Sequence, residues 1–532
     1  MSFEPALADP ESDPGATWAL EPALVRRLAR HVVTSPGAAH LVTTAPFTGG
    51  PAAALPVSTP ADVEVAVARA RAAQPSWAAR SIADRAAVLL RLHDLVLQRQ
   101  GEVLDLIQTE SGKARLHAYE EVADVAINCR WLARRGPHLL ADARRPGLIP
   151  GLTRVLEVRQ PKGVVGIVVP WNYPLALSIS DALPALLAGN GVVVKPDAQT
   201  PLTALWGVAL LREAGLPDGL VGVVVGDGAL LGGALVDAVD HVSFTGSTAT
   251  GRVVAQRAAA RLVGASLELG GKNSLYVAAD ADLDRAAEAA VRDCFSSAGQ
   301  LCLSMERLLL HERIADAFLD RFVDRVRRLR MGTALDFSVD LGCMVSMAQL
   351  AKVAAHVEDA VAHGARVLVG GRARPDIGPL FYEPTVLDQV PVEAACHAQE
   401  TFGPVVSVYR VGSDGEAVTR ANETEYGLNA SIWTKDVRRG VRLARQIQAG
   451  TVNVNESYAA TWGSVAAPMG GRKASGLGRR HGVEGLRRYT ESQTIAVQRV
   501  GLGPLYAQGG ERFAAVFTGM LRAARRAHAP WP

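Results

Sequence analysis

The chain has 532 residues, of which 48% are hydrophobic and 20% charged, so it is long enough for several domains with large cores. The 56 Lys and Arg residues nearly balance the 53 Asp and Glu residues, which gives no indication of a nucleic-acid partner. The first residues do not resemble a signal peptide, and five widely spaced cysteines argue against a disulfide framework or a zinc site, so we expect a cytoplasmic protein without a metal.

The first part of the chain is predicted to be helical. Residues 60–140 carry apolar side chains at helical spacing, and Gly112 interrupts the pattern. From residue 155 onwards, short β-branched runs alternate with helical runs. One of these helices is expected to begin at Pro201, with Thr200 as its cap, and to end near Gly215. Strands that alternate with helices indicate a parallel sheet covered on both faces.

The alternation resumes after residue 272, so two α/β units are expected to meet near residues 270–272. We predict two further strands outside these sheets, one within 143–161 and one within 484–500. They are expected to pair as an arm that reaches another subunit. We therefore predict an α/β fold with two doubly wound, Rossmann-like parallel-sheet domains plus a β-arm, assembled as a homodimer or homotetramer. The predicted divisions are 1–142 with 162–271 for cofactor binding, 143–161 with 484–500 for the oligomerisation arm, 272–483 for catalysis, and 501–532 for a C-terminal tail.

The tail combines an apolar side with basic residues. Phe513, Val516 and Phe517 recur at helical spacing, and Arg522 and Arg525 follow them. This pattern is typical of an amphipathic helix that lies on a membrane surface or on a partner subunit. A helix docked on its own domain, or a frayed chain end, gives the same pattern.

Glycine-rich segments follow two of the predicted strands. The segment GDGALLGG (226–233) has the spacing GxGxxxG, which differs from the dinucleotide-binding fingerprint and is weak on its own. The segment FTGSTATGR (244–252) places Ser247 at the start of a helix, where free backbone N–H groups and the helix dipole favour a phosphate. A serine that only caps the helix is an equally good interpretation.

Four further residues stand near strand ends or in turns. Asn172 lies between two prolines in PWNYP, Lys195 ends the strand VVVK, and Glu268 precedes two glycines in LELGGK. Cys302 lies between two leucines in SSAGQLCLSMER. Each has an ordinary structural explanation, such as a turn former, a surface charge or a buried hydrophobe. Together they supply a nucleophile, a base, an oxyanion donor and a cofactor contact.

These motifs resemble the aldehyde dehydrogenase family. SLELGGKN and the downstream AGQLC are similar to the family signature, and PWNYP, VVVKP, FTGST, ETFGPVV, YGLNASIW, GTVNVN and PMGGRKASGLGR follow in family order between about Pro46 and Gln498. Within the family, the chain is most similar to the actinobacterial, NADP-dependent succinic semialdehyde dehydrogenases. The resemblance implies oxidation of an aldehyde, foremost succinate semialdehyde, to a carboxylic acid through a cysteine thioester.

The resemblance also implies roles for individual residues. They are Cys302 as nucleophile, Glu268 as general base, Asn172 with the Cys302 backbone N–H as oxyanion donors, Lys195 at the adenosine ribose, Ser247 at the pyrophosphate, Glu400 at the nicotinamide ribose, Phe402 against the nicotinamide, and Trp171, Gly228, Phe244, Leu269 and Gln349 lining the cofactor site.

Expectations about the cofactor and the substrate come from positions where this chain differs from other family members. Many NAD-selective relatives carry Glu where this chain has Ala198, so NADP is expected to be preferred, with NAD as the other usable cofactor. Arginines that grip a distal carboxylate in well-known succinic semialdehyde dehydrogenases are replaced by Ser180 and Ser296. The substrate-tunnel candidates are Tyr173, Ser180, Ser296, Tyr458 and Trp462.

Four alternatives to this assignment remain open. They are an enzyme for a non-acidic aliphatic or aromatic aldehyde, a CoA-acylating enzyme, a non-catalytic cofactor-binding relative, and a cysteine hydrolase. Glu268 favours water over CoA as the acyl acceptor, and no His stands near a nucleophile-like motif as a hydrolase would require.

Overall fold

The structure, a computed structural model, describes residues 20–148, 153–499, 501, 503, 507 and 509–527. The parts of the predicted arm and tail at 149–152, 500, 502, 504–506, 508 and 528–532 lie outside the described residues, as do residues 1–19. The strands in chain order are β1 His40–Thr44, β2 Pro51–Pro56, β3 Ala143–Arg145, β4 Thr153–Pro161, β5 Val164–Val168, β6 Gly191–Lys195, β7 Val221–Val223, β8 His241–Thr245, β9 Gly264–Glu268, β10 Asn273–Val277, β11 Met305–His311, β12 Arg366–Val369, β13 Thr385–Asp388, β14 Val405–Val411, β15 Asn429–Trp433, β16 Thr451–Val454, β17 Gly476–Leu477 and β18 Thr490–Gln498.

The helices connect and cover these strands. They are α1 Pro22–Ala29, α2 Pro60–Ala78, α3 Ile82–Gln98, α4 Gln100–Ser111, α5 Arg115–Leu140, α6 Asp181–Leu187, α7 Pro201–Glu213, α8 Gly228–Ala238, α9 Thr248–Ala260, α10 Leu283–Phe295, α11 Ala315–Arg327, α12 Met347–Ala362, α13 Ala395–Ala398, α14 Asp414–Asn422, α15 Val437–Ala444, α16 Ala459–Gly463, α17 Gly482–Arg487 and α18 Gly510–Ala527, with a π-helical turn at Ala176–Ser180 and 3₁₀ turns at Ser296–Gly299 and Lys473–Ser475.

Two large sheets form the body of the protein. The first has the order β17-β9-β8-β5-β6-β7 and the second β12-β13-β14-β11-β10-β15-β16. Within each, all neighbouring strands are parallel except one antiparallel edge strand, β17 or β12. The strands β6 and β10 are buried along their whole length, because helices cover both faces of each sheet. The predicted α/β class with two parallel-sheet units is confirmed.

The edge strand β17 links the two units. It lies within the predicted catalytic segment 272–483, yet Gly476 and Leu477 pair with Glu268 and Leu267 in the first sheet. A short strand from the segment 272–483 therefore pairs with the last two residues of β9, the strand that carries Glu268. The predicted domain boundaries remain a prediction.

The two segments expected to form an arm pair with each other. Strand β18 runs antiparallel to β4 from Thr490 opposite Pro161 to Gln498 opposite Thr153, and β3 pairs with the other edge of β4. Beyond Thr490, every described residue of β18 is exposed. A role of this sheet in oligomerisation remains a prediction.

The free backbone N–H groups at the buried start of helix α7 are hydrogen-bonded by a residue distant in the sequence. Thr200 occupies the cap position, but its side chain makes no capping hydrogen bond, so the expected cap is wrong. The fully buried carboxylate of Glu110 instead accepts hydrogen bonds from the backbone N–H groups of Leu202 and Thr203, at 2.7 and 2.8 Å. Free N–H groups at a helix start favour a carboxylate in this way.

Candidate active site

A cavity of about 240 Å³ lies at the carboxyl ends of strands β5, β8 and β9. Ligands in open α/β sheets bind at this position. The cavity wall contains Asn172, Glu268 and Cys302 together. The structure thus brings the three predicted catalytic side chains to one cavity.

The loop before Cys302 has an unusual backbone. Ser297, Ala298 and Gly299 all have positive φ angles, of 54°, 54° and 69°. A Cβ atom added at Gly299 would lie 2.0 Å from the carbonyl oxygen of Gly403, so only glycine fits there. Non-glycine residues in this conformation are held by their surroundings and often occur at functional sites.

Gln300 fixes this loop to a neighbouring segment. Its side-chain amide donates to the carbonyls of Ser297 and Cys343, at 3.2 and 3.1 Å, and its side-chain oxygen accepts from the Val345 N–H at 3.0 Å. All three polar functions of this buried side chain point to backbone groups. The Gln of AGQLC therefore shapes the nucleophile loop.

The Cys302 thiol faces the cavity, whereas the other four cysteines are buried. Burial raises the pKa of Cys302 to about 12, and the nearby carboxylates of Glu400 and Glu268 add to the shift. Arg480 opposes it. These surroundings favour the protonated thiol, and a positive charge brought into the cavity would favour the thiolate.

Glu268 ends strand β9 with its side chain in the same cavity. Its Oε1 is buried and has no hydrogen-bond partner among the described residues. Burial raises the pKa of Glu268 to about 8, while Arg480 and Arg488 oppose the shift. A carboxyl group with a pKa near neutrality can both take and release a proton, as a general base requires.

Asn172 is held by its backbone and directs its side chain inward. Lys113 donates from its buried ammonium to the Asn172 carbonyl and to Glu121. The Asn172 side-chain amide donates to the Gln300 carbonyl at 3.0 Å. This bond uses one of the two amide protons, so the other can serve an oxyanion formed at Cys302.

The turn Glu400–Phe402 forms the opposite wall. Glu306 accepts hydrogen bonds from the backbone N–H groups of Thr401 and Phe402 and is paired with Lys272. Glu400 accepts from the Gly271 N–H at 2.8 Å, and burial raises its pKa to about 7.

Aromatic and amide groups complete this wall. Phe402 meets Trp171 edge-to-face at 5.5 Å between ring centroids. The Gln349 side chain donates to the Phe402 carbonyl at 2.8 Å. Six of the predicted cofactor contacts line the cavity, namely Trp171, Ser247, Leu269, Gln349, Glu400 and Phe402.

The other four predicted cofactor-site residues, Lys195, Ala198, Gly228 and Phe244, are not among the residues that line the cavity. Lys195 is 3% exposed, and its ammonium makes no hydrogen bond or ion pair with any residue that the structure describes, although the charges of Asp197 and Asp227 favour its charged form. A Cβ atom on Gly228 would lie 3.4 Å from that ammonium. A buried cation without a partner, beside a glycine at a helix start, fits the hydroxyl and phosphate oxygens of a dinucleotide.

Ser247 is the N-cap residue of α9. Its side chain accepts from the Thr250 backbone N–H at 3.2 Å, and it also lines the cavity. Ser247 therefore caps the helix, as one of the two interpretations of the sequence expected. The other N–H groups at the start of α9 remain suited to a phosphate.

The tunnel candidates divide into two groups. Tyr173, Tyr458 and Trp462 line the cavity, but Ser180 and Ser296 are absent from its wall. The Ser180 hydroxyl donates to Asp124 at 2.5 Å, and Ser296 is 2.9 Å from the Tyr458 hydroxyl. The two serines therefore act on the tunnel only through their neighbours.

Three polar residues of the site were missed by the sequence analysis. Glu120 lines the cavity between Tyr173 and Tyr458, Arg480 lies beside Glu268, and Asn273 holds the Cys302 loop. Asn273 belongs to the recognised motif SLELGGKN, and Arg480 directly follows the recognised motif PMGGRKASGLGR. Glu120 lies within the pattern of a surface helix, and no local feature of the sequence distinguishes it.

The Aldehyde dehydrogenase family profile matches residues 33–495. The chain belongs to the aldehyde dehydrogenase family. A Mycobacterium tuberculosis relative, provisionally named as an NADP⁺-dependent succinate-semialdehyde dehydrogenase, is 54% identical over 85% of this chain and 88% of its own. The glutarate-semialdehyde dehydrogenase of Pseudomonas putida is 36% identical over 85% of this chain and 93% of its own.

A solved structure supports the same assignment. The succinate-semialdehyde dehydrogenase of Burkholderia pseudomallei matches this enzyme with a TM-score of 0.85 and 34% identity, over 90% of this chain and all of that one. The predicted family is therefore confirmed. No helix among the described residues is both long and apolar enough to cross a membrane.

Proposed function

We propose that this aldehyde dehydrogenase oxidises succinate semialdehyde to succinate with NADP as its preferred cofactor. The observation that carries the chemistry is the convergence of Cys302, Glu268 and Asn172 on one cavity. The substrate and cofactor rest on the names of the mycobacterial relatives, which are 52–54% identical to this chain.

In the first stage, the Cys302 thiol gives its proton to water, and the resulting thiolate adds to the aldehyde carbon to form a thiohemiacetal anion. The oxygen of that carbon becomes negatively charged, and the free amide proton of Asn172 with the Cys302 backbone N–H hold it. Loss of one such donor typically raises the barrier by about 3 kcal/mol. Glu400, Phe402 and Trp171 would hold the nicotinamide of an oxidised cofactor, which would supply the acceptor for the hydride lost by this carbon; loss of that hydride leaves a Cys302 thioester.

In the second stage, Glu268 acts on water. Its carboxylate removes a proton from a water molecule, which attacks the thioester carbon. The C–S bond then breaks, the sulfur leaves as thiolate, and the carboxylic acid is released. The unpartnered Oε1 of Glu268 supports this role, because a buried carboxylate oxygen without a donor is free to accept from water.

The residues around Lys195 support NADP. Ala198 offers no carboxylate to bind a ribose hydroxyl or to repel a 2′-phosphate. Lys195 lies three residues away, and its ammonium makes no hydrogen bond or ion pair with the described side chains, while Asp197 and Asp227 act on its charge from a distance. A phosphate on the adenosine ribose would give that charge a partner.

A second candidate substrate is an aldehyde without a terminal carboxylate. Glu120 lies in the cavity wall, and the two serines that stand where arginines were expected supply no positive charge to it. A carboxylate placed in a tunnel without a cation loses its hydration uncompensated.

The test is a panel of succinate semialdehyde and butanal, each assayed with NADP and with NAD at neutral pH. We expect kcat/KM for succinate semialdehyde to exceed that for butanal by about tenfold or more, and NADP to exceed NAD. A preference for butanal would support the second candidate instead. Cys302→Ala is the control, since it should bind cofactor and form no reduced product. Consumption of added CoA would indicate the CoA-acylating alternative.

We further propose a cytoplasmic homo-oligomer. The exposed strand β18, with its unpaired edge, offers main-chain groups that a second subunit could cover. The five free cysteines fit a reducing compartment. Sedimentation analysis of the full chain, compared with a variant lacking residues 490–532, tests the assembly.

A further inference from the structure

Glu120 has a special position in the cavity that holds Cys302. It projects from helix α5, and its two carboxyl oxygens each accept a hydrogen bond from a tyrosine hydroxyl, Tyr173 and Tyr458, both at 2.9 Å. Each oxygen keeps a further lone pair that these hydroxyls do not use. The carboxyl group is therefore held rigidly while it still presents acceptors to a bound molecule.

The cations nearest to Glu120 are engaged elsewhere. The Lys113 ammonium is paired with Glu121 and lies 3.8 Å from the centre of the Tyr173 ring. Arg292 is paired with Glu456 and Asp293, and its guanidinium lies 5.7 Å from the Tyr458 ring. Among the described residues, none forms an ion pair with Glu120.

The two other cations of the cavity wall, Arg480 and Lys352, do not neutralise Glu120 either. Arg480 is paired with Asp181 at 2.9 Å, and Lys352 belongs to the helix that carries Gln349 on the cofactor side. The tunnel end with the two tyrosines thus presents one acidic group and hydroxyl groups. This pattern suits a donor or a cation and opposes a second carboxylate.

We propose that Glu120 is a specificity-determining residue which selects the distal end of the aldehyde, favouring a hydrogen-bond donor or ammonium group and accepting a distal carboxylate only when the two carboxyl groups share a proton. This inference rests on the proposed aldehyde oxidation at Cys302. It predicts that the acid semialdehyde becomes a poorer substrate as Glu120 loses its proton.

The direction of the pH effect follows from the surroundings. Burial raises the pKa of Glu120, while the hydroxyls of Tyr173 and Tyr458 and the charges of Lys113 and Arg292 oppose the shift. The protonated carboxyl can donate to a substrate carboxylate at low pH. At higher pH two like charges meet, so KM for succinate semialdehyde should rise with pH, whereas KM for butanal should not.

The experiment compares wild type, Glu120→Gln and the control Glu64→Gln, an exposed glutamate of α2. The substrates are succinate semialdehyde, butanal and 4-aminobutanal, assayed between about pH 6 and pH 9. In Glu120→Gln we expect kcat/KM at the alkaline end to rise about tenfold for succinate semialdehyde, to fall about tenfold for 4-aminobutanal, and to stay within about twofold for butanal. The control should match wild type with all three.

Equal changes for the three aldehydes in Glu120→Gln would overturn the inference, as would an unchanged pH dependence of KM for succinate semialdehyde. Tyr458→Phe gives a second test, because loss of one donor to Glu120 should move the rise in KM to higher pH. If wild type oxidises butanal and 4-aminobutanal but not succinate semialdehyde, the proposed substrate fails. In that case, the ratio of kcat/KM for 4-aminobutanal to kcat/KM for butanal, compared between wild type and Glu120→Gln, still decides the role of Glu120.

Discussion

Asn273 donates a hydrogen bond of 2.7 Å from its side-chain amide to the backbone carbonyl of Cys302. The same amide donates to the Ser304 carbonyl at 2.8 Å, and its oxygen accepts from the Asn429 N–H at 3.0 Å. Asn273 begins strand β10, directly after the glycines and lysine that follow Glu268. One side chain thus fixes the nucleophile loop relative to the strand that leads from the base.

We expect Asn273→Ala to lower kcat by about 100-fold, because a small displacement of the sulfur disturbs attack on the aldehyde. Two buried carbonyls would also lose a donor, which should lower the free energy of unfolding by about 2 kcal/mol. Stopped-flow kinetics and denaturant unfolding measure the two effects. Asn422→Ala is the matched control, since Asn422 similarly bridges Gln446 and Gln448. An equal loss of kcat in both variants would contradict the positioning role.

The pKa of about 8 for Glu268 predicts a pH-dependent second stage. Glu268 must be deprotonated to accept a proton from water, so hydrolysis of the thioester should accelerate as pH rises through about 8. Glu268→Gln should slow this stage and leave the initial burst of reduced cofactor. Loss of the burst together with turnover would instead place Glu268 in the first stage.

A substitution of Arg480 tests the Glu268 pKa without changing Glu268 itself. Its charge opposes the rise in the Glu268 pKa, so Arg480→Gln should shift the pH profile of thioester hydrolysis to higher pH. This variant also leaves Asp181 without its closest partner. The double variant Arg480→Gln, Asp181→Asn should restore stability, because no buried charge is left unpaired. A wild-type pH profile in the single variant Arg480→Gln would show that Arg480 acts on the fold alone. The double variant reports on stability, because Asp181 itself raises the Glu268 pKa and its loss offsets the loss of Arg480.

The sequence identified the residues of these three predictions unequally: Glu268 was predicted to be catalytic, whereas Asn273 and Arg480 were missed. Asn172 and Glu268 stand in short motifs at strand ends, and Cys302 stands in a loop before β11. Their joint role was predicted from the resemblance to the aldehyde dehydrogenase family. Asn273 lies in a recognised motif and Arg480 directly after one, but their partners are defined only by three-dimensional contacts.

Other features depended on contacts distant in the sequence. Glu110 caps helix α7 from 92 residues away, so the local pattern wrongly favoured Thr200. Glu120 and Glu121 are neighbours on one helix, yet one lines the cavity and the other is buried against Lys113. Helical periodicity gives the face of a residue, but not whether that face covers a core or a cavity.

The cofactor preference can be reversed at a single position. Ala198→Glu should lower kcat/KM for NADP by about tenfold or more, because a carboxylate near the ribose would repel a 2′-phosphate. The same carboxylate can accept from the ribose hydroxyl of NAD, so kcat/KM for NAD should hold or increase. Steady-state kinetics with both cofactors measure the ratio, with Gln256→Glu, at an exposed position of α9, as the control for added charge. An equal loss for NAD and NADP would indicate damage to the fold.

The raised pKa of Cys302 predicts slow alkylation of the free enzyme. The thiolate is the reactive form, and a pKa of about 12 leaves little of it at neutral pH. Iodoacetamide should therefore inactivate the free enzyme more slowly than it reacts with a small thiol. Glu400→Gln should accelerate inactivation, since the Glu400 carboxylate adds to the rise in the Cys302 pKa. Cys302→Ala shows by mass spectrometry whether any other cysteine reacts. Rapid alkylation of Cys302 that is unaffected by Glu400→Gln would mean that the sulfur is already a thiolate in the empty site.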